Sequence, residues 1–255
     1  MRDMKKILFA IALAVVATAC NKDVESTSAT TDRGTLAVRL TASTEVGDTT
    51  NEQNKTVVAC PANEQFNLSI ADTATGVKIY EGALGEYDAT TLIPSGDKSI
   101  RIWFGDINDE GYDKPYFEGA ATATVQSYGL SAEAMVEVGV ANAAIAIETT
   151  ELFDSYFQSA TFTVVTENCT EGHAFDTTAE GLLFVAPAEV TVKCLAVGPT
   201  GTKYEFSQRT PALQPQRRNI VRFDMKSAGN VVVNIEFNNQ LVGSELIEVE
   251  LNDKA

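Results

Sequence analysis

An all-β fold of two antiparallel sandwiches behind an N-terminal leader is the architecture this sequence predicts, and three observations predict it. Apolar and polar residues alternate with period two in short runs, as in Leu36, Val38 and Leu40 against Ala37, Arg39 and Thr41. Clusters of Gly, Pro, Asp, Asn, Ser and Thr separate these runs, and helical periodicity is almost absent. The first twenty residues follow a different pattern, with a basic head, an apolar stretch and then a cysteine.

Arg2, Lys5 and Lys6 form the basic head, Ile7 to Ala17 the apolar stretch, and Ala17-Thr18-Ala19 leads directly into Cys20. That order is the pattern of a secretory signal. The apolar run is shorter than the roughly 20 residues that a permanent membrane span requires. Cys20 after small residues resembles the lipobox of bacterial lipoproteins, in which the signal is cut before the cysteine and the cysteine carries lipid. Residues 1–19 are therefore expected to be a lipoprotein signal peptide. Residues 20–33, rich in Ser and Thr, are expected to be the lipidated cysteine and a flexible tether. Lys22-Asp23 resembles the short Lys-acidic tags that send some lipoproteins of Bacteroidota-type bacteria to the outside of the outer membrane. It reads equally well as a pair of charges in a soluble linker.

From Gly34 onward the strands follow in order. Leu36 to Leu40 make the first, and Phe66, Leu68 and Ile70 the next. Asp72-Thr73-Ala74-Thr75-Gly76 turns the chain into a hairpin partner that begins at Val77. Pro94-Ser95-Gly96-Asp97 is a turn before Ile100, Ile102 and Phe104, and Ala121–Gln126 and Met135–Val140 complete a first β-domain, 34–140. The pattern restarts at Ala144–Ile147, and Glu151–Phe157 reads as one short helical turn. Thr161–Thr166, Leu182–Val185, Val190–Val197, Tyr204–Phe206, Ile220–Met225, Val231–Phe237 and Glu245–Leu251 then predict a second β-domain, 141–255.

Composition narrows the function. A hydrophobic content of 44% with 8% aromatics belongs to a folded protein. The formal net charge of −16, more negative still without the leader, disfavours nucleic acid and anionic headgroups as partners. Beyond Cys20 the cysteines are Cys60, Cys169 and Cys194. Cys169 and Cys194 pair if their strands are neighbours and otherwise remain separate thiols.

His173 is the only histidine and sits in the loop-like stretch Glu171-Gly172-His173-Ala174, which predicts an exposed side chain. No nucleophile elbow, phosphate loop or dinucleotide fingerprint is present, so no catalytic residue is assigned and no cofactor expected. Asp106, Asn108 and Glu110, alternating before Gly111, match the first half of a calcium loop, where oxygens wrap a hard cation. Lys114 and Pro115 break its second half, and a solvated acidic turn accounts for the same residues. Trp103, opposite the Ile100, Ile102 and Phe104 face, could stack a sugar ring together with Tyr112 and Tyr116. Alternatively, Trp103 is covered by the loop that follows.

Tyr112-Asp113-Lys114-Pro115-Tyr116-Phe117-Glu118-Gly119 resembles a loop of the fimbrillin-like lipoproteins of Bacteroidota-type bacteria, in particular a lipoprotein family of unknown function. Further likenesses are the Gly34-Thr35-Leu36 start, the Val140-Ala141-Asn142-Ala143 linker and the Phe153 to Phe157 turn. Val233-Asn234-Ile235 followed by Glu248-Val249-Glu250-Leu251 completes the series. The resemblance implies tandem Greek-key, transthyretin-like sandwiches on the cell surface and no catalytic residues. It implies a lipid-anchored adhesin, or a fimbria-associated anchor or accessory subunit, whose partners are fimbrial or other surface proteins. A surface glycan-binding module is the alternative. Pairing through an edge strand, with Glu245–Leu251 as the edge to watch, is the mechanism this reading suggests. Glu245, Glu248 and Glu250 on that strand equally suit a blunted edge.

Overall fold

The structure is a computed structural model that describes residues 31–227 and 231–247. Cys20, the leader, the expected tether as far as residue 30, and residues 248–251 of the expected last strand lie outside the described residues, while Arg33, expected as the end of the tether, already begins the first strand. The chain is all-β with several sheets. Its strands are β1 (Arg33–Ser43), β2 (Glu45–Asp48), β3 (Lys55–Val57), β4 (Asn67–Asp72), β5 (Lys78–Ala83), β6 (Ile93–Pro94), β7 (Gly96–Phe104), β8 (Gly111–Tyr112), β9 (Phe117–Val125) and β10 (Ser131–Val140). They continue with β11 (Ala143–Thr149), β12 (Ser159–Val165), β13 (His173–Phe175), β14 (Leu183–Val185), β15 (Thr191–Val197), β16 (Lys203–Arg209), β17 (Arg217–Ser227), β18 (Val231–Phe237) and β19 (Gln240–Ile247). A short helix, α1 (Glu151–Tyr156), occupies the predicted helical turn.

Two compact units result. The first holds residues 31–41, Ala62–Ile102 and Gly119–Glu137; the second holds Ala42–Pro61, Trp103–Glu118 and the chain from Val138 on. The sequence division at Ala141 follows where the strand pattern restarts, whereas the fold groups residues by pairing. Thus β2 joins β17 and β8 joins β14, which assigns two early segments to the second unit.

A seven-stranded sheet has the order β5-β4-β7-β9-β10-β1-β6. In the first unit Leu36, Phe66, Leu68, Ile70 and Ile100 are buried, as the alternating pattern requires. Lys98 is also fully buried there. Its ammonium donates to Asp72 Oδ2 at 2.8 Å and to the Ser95 carbonyl at 3.0 Å. The same ammonium, with donations from Thr75, holds the Asp72 carboxyl down at about 2.

In the second unit an eight-stranded sheet runs β19-β18-β17-β11-β14-β8, with β2 and β3 added alongside β17, and a four-stranded sheet runs β13-β12-β15-β16. One apolar core draws on both: Phe162, Val164, Val192 and Phe206 from the smaller sheet, and Ile145, Val221, Phe223 and Ile235 from the larger. Phe153 and Phe157 join it from α1 and the residue after it, their rings 4.6 Å apart. The sheets are not wholly antiparallel. Strand β17 pairs parallel with β11 from Ala144↔Arg218 to Thr149↔Phe223, and parallel with β2 at Gly47↔Arg217. A parallel pair needs a long crossover, and the entire four-stranded sheet supplies the one between β11 and β17.

The last strand starts at Gln240, five residues before the predicted position. Asn238 and Asn239 have φ of 49° and 65° and turn β18 directly into β19, the left-handed geometry that a two-residue hairpin uses. Cys194 is buried in the core, Cys169 is half-buried and Cys60 exposed, and all three are free thiols. A Cys169–Cys194 bridge is therefore not formed. Cys194 lies at the centre of β15, paired with Phe162 and Phe206, while Cys169 belongs to the turn after β12.

Candidate functional site

The acidic segment after β7 folds as a clip within the second unit. Asp106 Oδ1 accepts from the Asn108 backbone N–H at 2.9 Å, which closes a local turn. Two residues on, Glu110 points inward, its side chain only 3% exposed. Tyr112 and Gly111 then pair with Leu183 and Phe184 as β8 against β14. Left-handed backbone occurs at Gly105, Gly111 and Asp113, whereas Gly119 lies inside β9.

Glu110 is the centre of a convergent set of donors. Its Oε2 accepts from the Thr166 hydroxyl and lies 3.1 Å from His173 Nε2. Its Oε1 accepts from the Ala186 backbone N–H at 3.0 Å and from Asn168 Nδ2 at 3.2 Å. Burial pushes this carboxyl up, but the donations from Thr166, Ala186, His173 and Asn168 outweigh it and leave the group below its ordinary value. His173 is thus half-buried at the start of β13 and engaged with a carboxylate, not exposed in a loop as its neighbours in sequence suggest. Gly172, at φ +86°, turns the chain into it; a Cβ there would lie 2.4 Å from Thr163 Cγ2.

Histidine, hydroxyl and carboxylate are therefore adjacent, but in an order unsuited to nucleophilic catalysis. A relay needs the imidazole between the hydroxyl and the carboxylate. Here the carboxylate stands between, and the hydroxyl donates to it, so nothing prepares the Thr166 oxygen to attack. The arrangement ties the segment at Glu110 to the β12–β13 turn and to the end of β14.

The sequence-derived calcium ligands do not converge. Asp106 serves its own turn, Asn108 Oδ1 accepts from Asn168 Nδ2 at 3.4 Å, and Glu110 is directed at Thr166, His173, Asn168 and Ala186. Among the described residues no group of three or more His, Cys, Asp or Glu side chains is placed to hold a metal ion. Nor do the aromatic residues form a platform. Tyr116 is 3% exposed, so its ring is part of the interior and offers no face to a sugar. Tyr112 packs against Phe175 with centroids 6.4 Å apart and accepts the Asp176 backbone N–H through its hydroxyl at 2.8 Å. Trp103 is half-buried.

The Lys114-Pro115-Tyr116 motif and the Asn142 linker are two halves of one clasp. Buried Asn142 accepts from the Tyr116 N–H at 3.1 Å and donates to the Lys114 carbonyl at 3.0 Å. The Ala141 N–H donates to the Tyr116 carbonyl at 2.7 Å. Sequence reading places both motifs but not their union, which spans 28 residues. The Glu110–His173 pair, 63 residues apart, leaves no local signal at all.

No curated protein matches this sequence. Several solved structures match at low similarity. A fimbrial assembly protein from Parabacteroides distasonis superposes with a TM-score of 0.41 and 12% identity, over 84% of this chain and 98% of its own. A Bacteroides thetaiotaomicron protein provisionally labelled an adhesin gives 0.40 and 10%, over 83% and 97%. Another from that organism, provisionally labelled polysaccharide-binding, gives 0.41 and 9%, over 85% and 99%. At these values no function passes from one chain to the other. The sequence itself is decisive: a family profile matches residues 11–253, and the chain belongs to the family described as domain of unknown function DUF4493.

Proposed function

We propose that this chain is a lipid-anchored outer-membrane protein, held by Cys20 and exposed at the cell surface. It acts without catalysis, as an adhesin or as a fimbria-associated anchor or accessory subunit, through protein–protein contacts. The observation that carries this reading is the edge formed by β19. It ends the eight-stranded sheet, pairs with β18 on one side, and carries Leu241 and Leu246 at 62% and 60% exposure. An edge strand with exposed leucines is a template for a strand from another protein, with backbone bonds giving affinity and side chains giving selectivity. Glu245 on the same strand limits promiscuous pairing.

The test is cross-linking of intact cells followed by isolation of the protein. Wild type is expected to bring down a surface or fimbrial subunit, and Leu241→Lys with Leu246→Lys is expected to lose it while the fold is retained. Recovery of the same partner by both proteins refutes the edge as the contact.

A further inference from the structure

We propose that the tip of the β9–β10 hairpin in the first unit docks onto the lipid surface that holds the anchor, with Tyr128 and Leu130 entering the headgroup–acyl boundary. This inference rests on the Cys20 anchor proposed above.

The observations begin with a mismatch between residue and backbone. Tyr128 has φ 61° and is followed by Gly129 at φ 72°, two successive left-handed positions in a tight turn. Asn, Asp or Gly fits such a first position without strain, and a bulky aromatic residue does not. Tyr128 is also 74% exposed, so no packing within the described chain repays the conformation, and Leu130 beside it is exposed as well. A strained, solvent-directed aromatic residue is where an external ligand is to be sought.

Its location identifies the ligand. The Gly129 N–H donates to the Arg33 carbonyl at 2.8 Å, and the Thr35 N–H donates to the Leu130 carbonyl at 3.1 Å. The tip is therefore stitched to the point where the folded chain emerges from the tether. Only twelve residues lie between Cys20 and Arg33. Whatever its conformation, a chain of that length reaches at most about 45 Å. The end of the unit bearing Tyr128 is thus kept near the bilayer whatever else the protein does.

The same end of the sheet carries a third exposed apolar side chain, Val77. Its turn is joined to the start of β7 by the Thr73 N–H donating to the Asp97 carbonyl, and Asp97 accepts from Thr124 Oγ1 at the end of β9. Tyrosine suits this environment because its ring enters the apolar boundary while its hydroxyl stays hydrated. Arg33, exposed next to the tip, provides a cation of the kind that pairs with lipid phosphate. Docking at two points, lipid and tip, would fix which face of the unit looks outward.

The full mature lipoprotein, reconstituted into vesicles of phosphatidylcholine and phosphatidylethanolamine, supplies the test. Tyr128→Trp keeps an aromatic ring at the left-handed position, and Trp103 in the wild type gives the background. Replacing the lipids by ones brominated along the acyl chain is expected to quench Tyr128→Trp beyond the wild-type level and to blue-shift its emission. Quenching equal to wild type, in protein that floats with the vesicles, overturns the docking and leaves the anchor standing. Wild type that fails to float, or a Cys20→Ser protein that floats equally well, overturns the anchor and this inference with it. Thermal melting of Tyr128→Trp at the wild-type midpoint verifies that the variant is folded.

Discussion

Replacing Glu110 by alanine removes the acceptor for four donors at once. The Ala186 N–H and the Thr166 hydroxyl belong to packed structure and would be left in the interior without a partner, at about 1–3 kcal/mol each. Asn168 and His173 are nearer the surface and would recover some hydration, each losing about 0.5–1.5 kcal/mol. Together these losses come to about 3–9 kcal/mol, and at about 2–4 °C per kcal/mol for a chain of this length the midpoint should fall by at least roughly 6 °C. Glu110→Gln separates charge from shape. Its amide oxygen can still accept from Ala186 and Asn168, and its NH2 can donate to the Thr166 oxygen and to a neutral imidazole nitrogen. About 1–2 kcal/mol should be lost, the difference between charged and neutral hydrogen bonds. Urea denaturation followed by circular dichroism measures both. Acid adds a second axis. The carboxyl lies below its ordinary value in the fold, so its stabilisation is complete above about pH 4.5 and disappears as pH falls through the folded value. The gap between wild type and Glu110→Gln should therefore narrow below that pH. An alanine variant within about 0.5 kcal/mol of wild type, the range of a neutral surface change, would refute the central role given to this carboxylate.

Two further outcomes follow from the core and its thiols. Burial pushes the Cys194 thiol up to about 12, while Cys60 is exposed, so alkylation of the native protein at pH 8 should label Cys60 and spare Cys194 until denaturant is added. Peptide mapping that finds both labelled at the same rate would contradict the packing around β15. Phe223 is fully buried and its ring lies 5.2 Å from Phe162, 5.9 Å from Phe153 and 6.4 Å from Phe206. Phe223→Ala should cost about 3–5 kcal/mol in the same denaturation assay, and a loss under about 1 kcal/mol would mean the two sheets do not share this core.

Strands with an alternating apolar face were legible because one period-two register buries one set of residues: Leu68 and Ile70 in β4, or Val192 and Cys194 in β15. Of the strands of two to four residues, β14 was foreseen as Leu182–Val185 but others were not. β2, β8 and β13 are too short to show a period, and they exist because of what they pair with: β17, β14 and β12. The parallel pairing of β11 with β17 is invisible for a related reason, since periodicity reveals a strand but not its neighbour. At the candidate site, Glu110 lay within the acidic segment singled out, but its chemistry was misjudged. An alternating acidic run looks solvated or cation-binding until Thr166, His173 and Ala186 are known to meet it. Tyr112 and Tyr116 failed as a platform because tyrosine serves as readily inside a fold as on it. The hairpin before β19 was readable in retrospect, from two consecutive asparagines after an alternating run.

The pairing of β2 with β17 determines when the protein can finish folding. Asp48 and Arg218, joined through both carboxylate oxygens, are 170 residues apart, and Thr49 bonds Asn238 across 189. A ribosome adding about 5–20 residues per second takes roughly 10–40 s to move from one partner to the other. Throughout that interval β2 can pair with β3 but not with β17, and closing so large a loop is entropically costly. The second unit is therefore completed only after synthesis of its C-terminal strands, and its early strands spend that time open to chaperones or to mispairing. Variants that truncate the chain before β17 should fail by aggregation rather than by forming a smaller stable unit.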